Sequence, residues 1–401
     1  MRILFVNYEY PPLGGGGGVA TRDIAVELAK RHAVAVLTSA GPGLPAQEQI
    51  NGVDVHRAPV MGRTRRSTAS ILSMLSFWPI GIRHGHRSLG RDGFDVVNSW
   101  FAVPSGPAGV HLARYFNSPH VLTMAGGDIY DPSKWYTPDK NPVLRLAVRR
   151  VLAASQGHVA VSNDLARRVR GIYGFEGPIE VIPLGAAAPS FRPASRAELG
   201  LEPGVVYVAA VGRLVRRKNL ASLITAVRRL DRDDVHLLVI GDGPEQPALA
   251  SLAQELGLGR RVQFRGFVPE ETKYQLLAAG DVFALPSLHE AFGLVYLEAM
   301  HCGLPVIAAR PGGHEDYLTD GRTGFLVPQE DSEALLHALE RLVGDRALRL
   351  AMSEHNRSLA QRFSIVTTAS DYERLFNRIV RAEPAGVPRA MTSATGRIRR
   401  A

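Results

Sequence analysis

The chain has 401 residues, of which 45% are apolar and 21% are charged, so it can bury a full hydrophobic core and is no low-complexity polypeptide. Its single cysteine, Cys302, excludes a disulfide framework and a thiolate metal cluster and fits a reducing compartment. Residues 1–185 hold 20 lysines and arginines against 13 aspartates and glutamates, so most of the net charge of +9 lies there; this excess suits nucleic acid, an acidic membrane surface, an anionic substrate, or no partner at all.

The N-terminal segment lacks the pattern of a secretory signal. Its apolar run is short and is soon followed by Glu9 and the paired prolines Pro11 and Pro12. No window of about 20 uncharged apolar residues offers a membrane span. We therefore expect a soluble protein of the cytoplasm.

Short β-branched runs alternate with helical patterns along the chain, which is typical of βαβ units and parallel sheets. In the first series we predict strands at 3–7, 34–39, 53–58, 94–99, 120–124, 158–162 and 179–183, and helices at 19–31, 105–116, 142–154 and 163–172. After the Pro/Gly/Ala-rich stretch 183–195 we predict strands at 205–212, 235–241, 262–266, 281–287, 305–309 and 324–328, and helices at 219–230, 245–256, 270–279, 293–301, 332–343, 346–361 and 366–381.

This pattern predicts an α/β protein with two doubly wound parallel-sheet domains, residues 1–185 and 186–365, that face a common cleft. The basic tail, residues 383–401, has no periodicity, and we expect it to be disordered.

A run of five glycines, Gly14 to Gly18, follows the first predicted strand and precedes a helix. Backbone without side chains approaches an anion closely, and amides at a helix N-terminus stabilise negative charge. The run is neither a P-loop nor a dinucleotide fingerprint, because the residues that would complete those motifs are missing. A phosphate-binding turn and a flexible turn without a ligand both remain open.

Two cations, Arg213 and Lys218, lie in the segment VGRLVRRKNL between a predicted strand and helix. Arginine can grip a diphosphate with a fork of donors, and lysine can add a point charge. Solvated loop charges are the alternative.

Two carboxylates, Glu290 and Glu298, lie eight positions apart in the segment 285–316, the first in a loop and the second in the helix that begins near Gly293. Eight residues are a little over two helical turns, so both can face one side. Sugar hydroxyls would be good donors to such a pair. One capping and one solvated glutamate, or the acid and nucleophile of a hydrolase, are alternatives.

The start of the same helix supplies backbone donors. The amides of Phe292, Gly293 and Leu294 suit an anion at this position.

These segments resemble the retaining nucleotide-sugar glycosyltransferases of family 4, which have the GT-B architecture of two Rossmann-like domains. The resemblance covers nearly the whole second domain, with the stretches VGRLVRRKNL, VIGDGPE, VQFRGFVP, DVFALPSLHEAFGLVYLEAMHCGLPVIAARPGG and DGRTGFLVP in family order. In the first domain it is thinner and depends on YEYPPLGGGGGVATRDIAVELA, TMAGGDIY and AVSNDLAR. It implies that the first domain binds the acceptor, that the second binds the donor, and that helix 366–382 packs back on the first.

The resemblance also implies roles for donor-binding residues. Arg213 and Lys218, with Gly212 beside them, would bind the donor diphosphate, and Glu298 would hold the ribose hydroxyls. Glu290 and the amides that follow it would contact the transferred sugar and the phosphates. The remaining donor contacts would come from the backbone of Val268 at the base and from the loop glycines Gly15 and Gly16.

In the first domain, Asp128 matches the acid of a HG[GS]D-like family segment, and with Gly127 it would orient the acceptor. The histidine that often precedes those glycines is Ala125 here. We therefore assign no catalytic histidine, and a helix or turn cap is an equal alternative for Asp128.

The implied reaction moves a sugar from a UDP- or GDP-sugar to a glycan or lipid-linked acceptor, with retention and without a metal or other cofactor. Cationic side chains and helix amides would stabilise the departing diphosphate. A GT-B-like sugar-nucleotide epimerase and a non-catalytic nucleotide-binding module are the alternative functions.

Residues 61–87 contain five arginines and no acidic residue, with apolar side chains between the basic clusters. This combination suits docking on an anionic membrane, on the inner face of the cell membrane, and makes nucleic acid an unlikely partner. An internal helix with a basic rim is the alternative.

Histidines and aromatic residues near the motifs have simple explanations. We expect His289 and His314 to be hydrogen-bonded loop residues. Packing is the default for the aromatic residues that could stack on sugars, which are Tyr8, Tyr10, Trp135 and Tyr136.

Overall fold

The strands form two separate sheets, one in each half of the chain. The computed structural model describes residues 1–64, 69–90, 92–134, 136–186, 189 and 191–382. Trp135, part of the segment 61–87 and the predicted disordered tail therefore lie outside the described residues.

The first half contains strands β1 (Arg2–Asn7), β2 (Ala33–Ser39), β3 (Gln47–Ile50), β4 (Val53–Ala58), β5 (Val96–Trp100), β6 (His120–Met124), β7 (Gly157–Ala160) and β8 (Glu180–Val181). Its helices are α1 (Gly16–Ala29), α2 (Ile71–Ser88), α3 (Ser105–Phe116), α4 (Pro142–Ala154) and α5 (Asn163–Tyr173). The strand order is β3-β4-β2-β1-β5-β6-β7-β8, and all pairs are parallel except the edge pair of β3 with β4.

The second half contains strands β9 (Val206–Val211), β10 (Val235–Ile240), β11 (Val262–Gly266), β12 (Val282–Leu285), β13 (Val306–Arg310) and β14 (Gly324–Pro328). Its helices are α6 (Leu220–Arg229), α7 (Gln246–Glu255), α8 (Glu270–Ala278), α9 (Leu294–His301), α10 (Ser332–Gly344), α11 (Arg346–Ala360) and α12 (Ile365–Ala382). The strand order is β11-β10-β9-β12-β13-β14, and every pair is parallel.

In each sheet the strands that come next along the chain lie on one side of the first strand, and the later strands lie on its other side. β1 lies between β2 and β5, so Ile3 pairs with Val34 on one side and with Val96 on the other. β9 lies in the same way between β10 and β12. In such sheets a ligand crevice forms beyond the carboxyl ends of the strands at this change of side. The expected pair of doubly wound parallel-sheet domains is confirmed.

Three elements differ from the sequence prediction. The edge strand β3 was not predicted, and α2 occupies the segment for which a membrane-docking stretch and a basic-rimmed helix were both considered. Ser70 caps α2 through a reciprocal capping box with Ser73. The predicted strand at 179–183 is only two residues long in the structure.

The last helix, α12, packs against the first domain. Tyr372 stacks on Trp100 with ring centroids 6.1 Å apart, and Phe376 meets Phe5 edge-on at 6.3 Å. The chain crosses between the domains nearby, where the Ala186 amide donates to the Phe363 carbonyl at 3.0 Å. No described helix has the length and apolar character needed to cross a membrane.

We expect Phe376→Ala to lower the free energy of unfolding by about 3–5 kcal/mol, because it empties a fully buried site between α12 and β1. Urea denaturation checks this value. Val366→Ala, at an exposed position of the same helix, is the control and should change stability by less than about 0.5 kcal/mol. Equal losses in the two variants would contradict the packing described for α12.

Candidate active site

A buried ion pair joins two loops at the carboxyl edge of the second sheet. Lys218 ends a short 3₁₀ turn between β9 and α6, and Glu290 lies between β12 and α9. The lysine Nζ bonds Glu290 Oε1, and the two residues are only 8% and 9% exposed. Burial alone would raise the pKa of Glu290, but Lys218 and Arg217 outweigh it and hold that pKa well below its usual range. The carboxylate is therefore ionised at neutral pH.

The loop that carries Lys218 begins with Gly212 and Arg213. A Cβ on Gly212 would lie 3.2 Å from the Lys218 Cε, so a side chain there would press on the lysine. Arg213 is exposed on the same loop, and its charge helps to lower the pKa of Lys218, for which burial is the main cause. The structure thus brings three of the predicted donor residues together with Glu290.

Arg217 belongs to this site although its role was not predicted from the sequence. Its carbonyl accepts from the Leu288 amide at 2.8 Å, and its guanidinium lies 3.5 Å from Asp131 Oδ2 in the first domain. Asp131 is fully buried and also accepts from the Ser133 hydroxyl at 2.6 Å. The run of three basic residues at 216–218 indicates a cationic site, but the sequence does not show which of the three side chains points into it.

The N-terminus of α9 presents backbone donors next to Glu290. Gly293 adopts φ of +85°, a conformation that favours glycine, and no described group accepts from the amides of Phe292, Gly293 or Leu294. The Tyr317 hydroxyl donates to the Phe292 and Gly293 carbonyls at 2.9 and 2.7 Å. Tyr317 fixes these peptides, and it is a second residue that sequence reasoning missed.

Glu298 makes a separate ion pair, one turn into α9. Lys273 of α8 lies 2.9 Å from its Oε1, whereas no described group bonds its Oε2, which is shielded from solvent. Burial raises the pKa of Glu298 and Lys273 opposes that rise. Each of the two predicted carboxylates therefore has its own lysine.

The glycine run at the start of α1 contains two glycines without a packing reason in the protein itself. A Cβ on Gly14, Gly17 or Gly18 would collide with Glu9 or Phe101. A Cβ on Gly15 or Gly16 would meet nothing within 4 Å. The space in front of these two glycines is open, as a backbone surface for a ligand requires.

Asp128 accepts hydrogen bonds from three backbone amides. These come from Ala102 at 2.7 Å, Gly126 at 2.8 Å and Ala125 at 3.2 Å. Burial nonetheless raises the pKa of Asp128 to about 6. Its oxygens hold the loop after β6, which favours the cap over the acceptor-orienting role, while Gly127 beside it is exposed.

The two domains touch at Ala291, the residue after Glu290. Its carbonyl accepts from the Ser162 hydroxyl at 2.6 Å, and a Cβ on Gly126 would lie 2.6 Å from the Ala291 Cβ. The Asn163 amide also donates to Asp316 at 2.8 Å. The loop of Glu290 is therefore held by both domains.

Other residues singled out in the sequence are packed or hydrogen-bonded within the protein. Val268 is half-buried against the core after β11, and Tyr8 bonds Ser73 at 2.6 Å. Burial lowers the pKa of His289 to about 4, so this ring is neutral near pH 7. Among the described residues, no group of three or more His, Cys, Asp or Glu side chains could hold a metal ion; the metal-free reaction stays a prediction.

Comparison with known proteins identifies the family. Residues 191–359 match the model described as glycosyl transferases group 1, and residues 14–188 match glycosyltransferase family 4. The D-inositol 3-phosphate glycosyltransferase of Nocardia farcinica is 32% identical over 383 residues, which cover 86% of this chain and 82% of that protein. The chain belongs to glycosyltransferase family 4.

Solved structures agree with the fold expected for this glycosyltransferase. Sucrose-phosphate synthase from Thermosynechococcus elongatus superposes with a TM-score of 0.84 at 24% identity, over 96% of this chain and all (100%) of that one. HepE of Anabaena, solved with UDP and glucose, gives a TM-score of 0.74 at 23% identity, over 94% of this chain and 100% of that one. The GT-B fold and the transferase class predicted from the sequence are confirmed.

We expect Glu290→Gln to lower the free energy of unfolding of this glycosyltransferase by about 3–5 kcal/mol at pH 7, because Lys218 is left as an uncompensated buried charge. Since folding lowers the pKa of Glu290, its stabilising effect is full above about pH 4.5 and is lost as the pH falls below that value. Urea denaturation at several pH values should show the difference between variant and wild type shrinking under acid conditions.

A surface pair provides the control for this measurement. Asp234 lies 2.6 Å from Arg232 on the surface, and Asp234→Asn should cost at most about 1 kcal/mol. A loss in Glu290→Gln no larger than this control would mean that the pair does not hold the two loops together.

Proposed function

We propose that this glycosyltransferase moves a sugar from a UDP- or GDP-sugar to a hydroxyl of a glycan or lipid-linked acceptor, with retention and without a metal. The observation that carries the proposal is the buried Lys218–Glu290 pair beside the α9 amides and Arg213. A nucleoside diphosphate leaves with negative charge on its β-phosphate, and preorganised cations and amides stabilise such charge. The complex of the structural neighbour HepE with UDP and glucose supports this class of donor.

The proposed reaction balances without a base on the protein. The acceptor oxygen attacks the anomeric carbon from the face that the diphosphate leaves, so the new bond replaces the old one on the same side. The acceptor proton passes to the leaving phosphate oxygen. The departing diphosphate is held by Arg213, Lys218 and the amides of 292–294. Glu290 favours the protonated form of Lys218, and Glu290 also contacts the sugar.

The other donor contacts follow from the positions described above. Glu298 accepts from the ribose through its unbonded oxygen, and the backbone at Val268 meets the base. Gly15 and Gly16 approach the donor from the first domain, where the space in front of them is open.

We expect Arg213→Ala and Glu298→Ala to lower sugar transfer about 10²-fold or more, because each removes a contact to the donor. A thermal-shift screen of UDP-glucose, UDP-galactose, UDP-N-acetylglucosamine and GDP-mannose selects the donor. Mass spectrometry then detects the added hexose on glycan and lipid fractions.

Arg216→Ala is the matched control, since Arg216 is exposed on the same turn and is not among the main causes of the pKa shifts of Lys218 and Glu290. Full transfer by both site variants would overturn the donor assignment. Release of an epimerised nucleotide sugar without transfer would support the epimerase, and nucleotide binding without any turnover would support the binding module.

We further infer that the acceptor is presented at an anionic membrane, where this protein docks peripherally on the inner face. The first turns of α2 expose Ile71, Leu72, Leu75 and Trp78, each between 47% and 54%. Positions 71, 75 and 78 follow the helical repeat and therefore share one face. Arginines 83 and 87 follow on the exposed side of the same helix. Apolar insertion next to basic residues is the combination that binds anionic lipid.

We expect the protein to co-sediment with phosphatidylglycerol-containing vesicles more than with phosphatidylcholine vesicles. The double variant Leu75→Ser/Trp78→Ser should lose most of this binding. The control Val143→Ser/Leu146→Ser removes two exposed apolar side chains from α4 instead and should bind like wild type. Equal binding to both vesicle types, or none, would exclude this docking surface.

A further inference from the structure

Lys273 approaches Glu298 from α8 and holds one oxygen of its carboxylate. The Nζ to Oε1 distance is 2.9 Å, and the two side chains are 18% and 15% exposed. The ammonium also lies 4.6 Å from the ring centroid of Tyr274, the next residue of α8. These contacts fix the lysine and the carboxylate relative to each other.

The second oxygen of Glu298 has no bonding partner among the described residues. Oε2 is shielded from bulk solvent. A sheltered acceptor without a donor costs free energy that a ligand hydroxyl can recover. On the proposed function above, on which this inference rests, that hydroxyl belongs to the ribose of the donor nucleotide.

The other charges around Glu298 favour its protonation. Burial is the main cause of its raised pKa, and the carboxylates of Glu270 on α8 and Asp23 on α1 act in the same direction. Asp23 is itself bonded to Arg22 at 2.7 Å, so part of its charge is compensated. Lys273 is the cation that opposes these effects.

Three further titratable groups lie near Glu298, of which two are neutral near pH 7 and one bonds a carbonyl. Cys302 follows Glu298 by one turn, immediately after the end of α9, and burial raises the pKa of its thiol to about 12, so it is neutral. Arg357 of α11 donates to the Cys302 carbonyl at 3.2 Å. The Tyr274 pKa is raised, chiefly by burial, so its hydroxyl is neutral as well.

We propose that Lys273 is a positioning residue that keeps Glu298 ionised, with one oxygen held and the other aimed at a ribose hydroxyl of the donor nucleotide. A hydrogen bond to a charged acceptor is roughly twice as strong as one to a neutral acceptor. Lys273 thereby converts a buried carboxyl into a selective ribose contact without touching the nucleotide.

Calorimetry between pH 5.5 and 8.5 tests this role, with UDP or GDP, whichever the wild type binds, and the 2′-deoxy and 3′-deoxy analogues of that nucleotide. Wild type should prefer the ribonucleotide over at least one deoxy analogue by about tenfold, and Glu298→Gln should lose that preference. Lys273→Met should lose most of it at pH 7 and regain it as the pH rises, because Glu298 then ionises without help. Lys273→Arg should keep it across the pH range.

The outcomes separate this inference from the proposed function. A wild-type ribose preference that Glu298→Gln abolishes but Lys273→Met leaves intact at every pH would overturn the role of Lys273 and leave the donor class standing. A loss in Lys273→Met that does not change with pH, or that Lys273→Arg shares, would indicate a merely structural lysine. If wild type binds neither UDP nor GDP, the proposed donor class itself fails.

Discussion

The buried ion pair of Lys218 and Glu290 determines how the loops at the carboxyl edge of the second sheet are arranged. Neither charge can stay alone in a low-dielectric interior, so the loops after the neighbouring strands β9 and β12 must close on each other. A backbone bond of 2.8 Å from the Leu288 amide to the Arg217 carbonyl joins these two loops. A second bond of 2.8 Å, from the Gly313 amide after β13, holds the Glu290 carbonyl. The start of α9, with its unbonded amides, is thereby aimed at the place where the pair presents its charge.

The loop that carries Glu290 also contacts the first domain through Ala291. Ala291 is packed so closely that a side chain on Gly126 or Gly313 would collide with it, and Ser162 bonds its carbonyl. The ion pair between Arg217 and Asp131 spans the domains beside it. A change in the angle between the domains must therefore move the loop of Glu290, which gives domain motion a direct effect on the site.

The sequence predicts the sheets well, because buried parallel strands are continuous apolar runs. It also identifies Gly212, Lys218 and Glu290, which the structure brings together, because they lie in local motifs. It predicts partners across the fold poorly: Lys273 and Asp131 contact Glu298 and Arg217 only through tertiary structure. It left the segment of α2 open between a membrane-docking stretch and a basic-rimmed helix, because the glycines of this segment lower helix propensity. One of them, Gly85, is needed there, since a Cβ would lie 3.0 Å from Leu112 of α3.

The basic first half illustrates why net charge is a weak guide to partners without a fold. Arg145 and Arg149 of α4 bond the carbonyls of Ile172 and Tyr173 at the end of α5, where a cation also complements the helix dipole. Arg57 is buried and paired with Glu48. Arg145 and Arg149 therefore have a structural role, and Glu48 compensates the charge of Arg57. The exposed cations are spread over several helices of this domain, and on α2 two of them, Arg83 and Arg87, follow exposed apolar side chains.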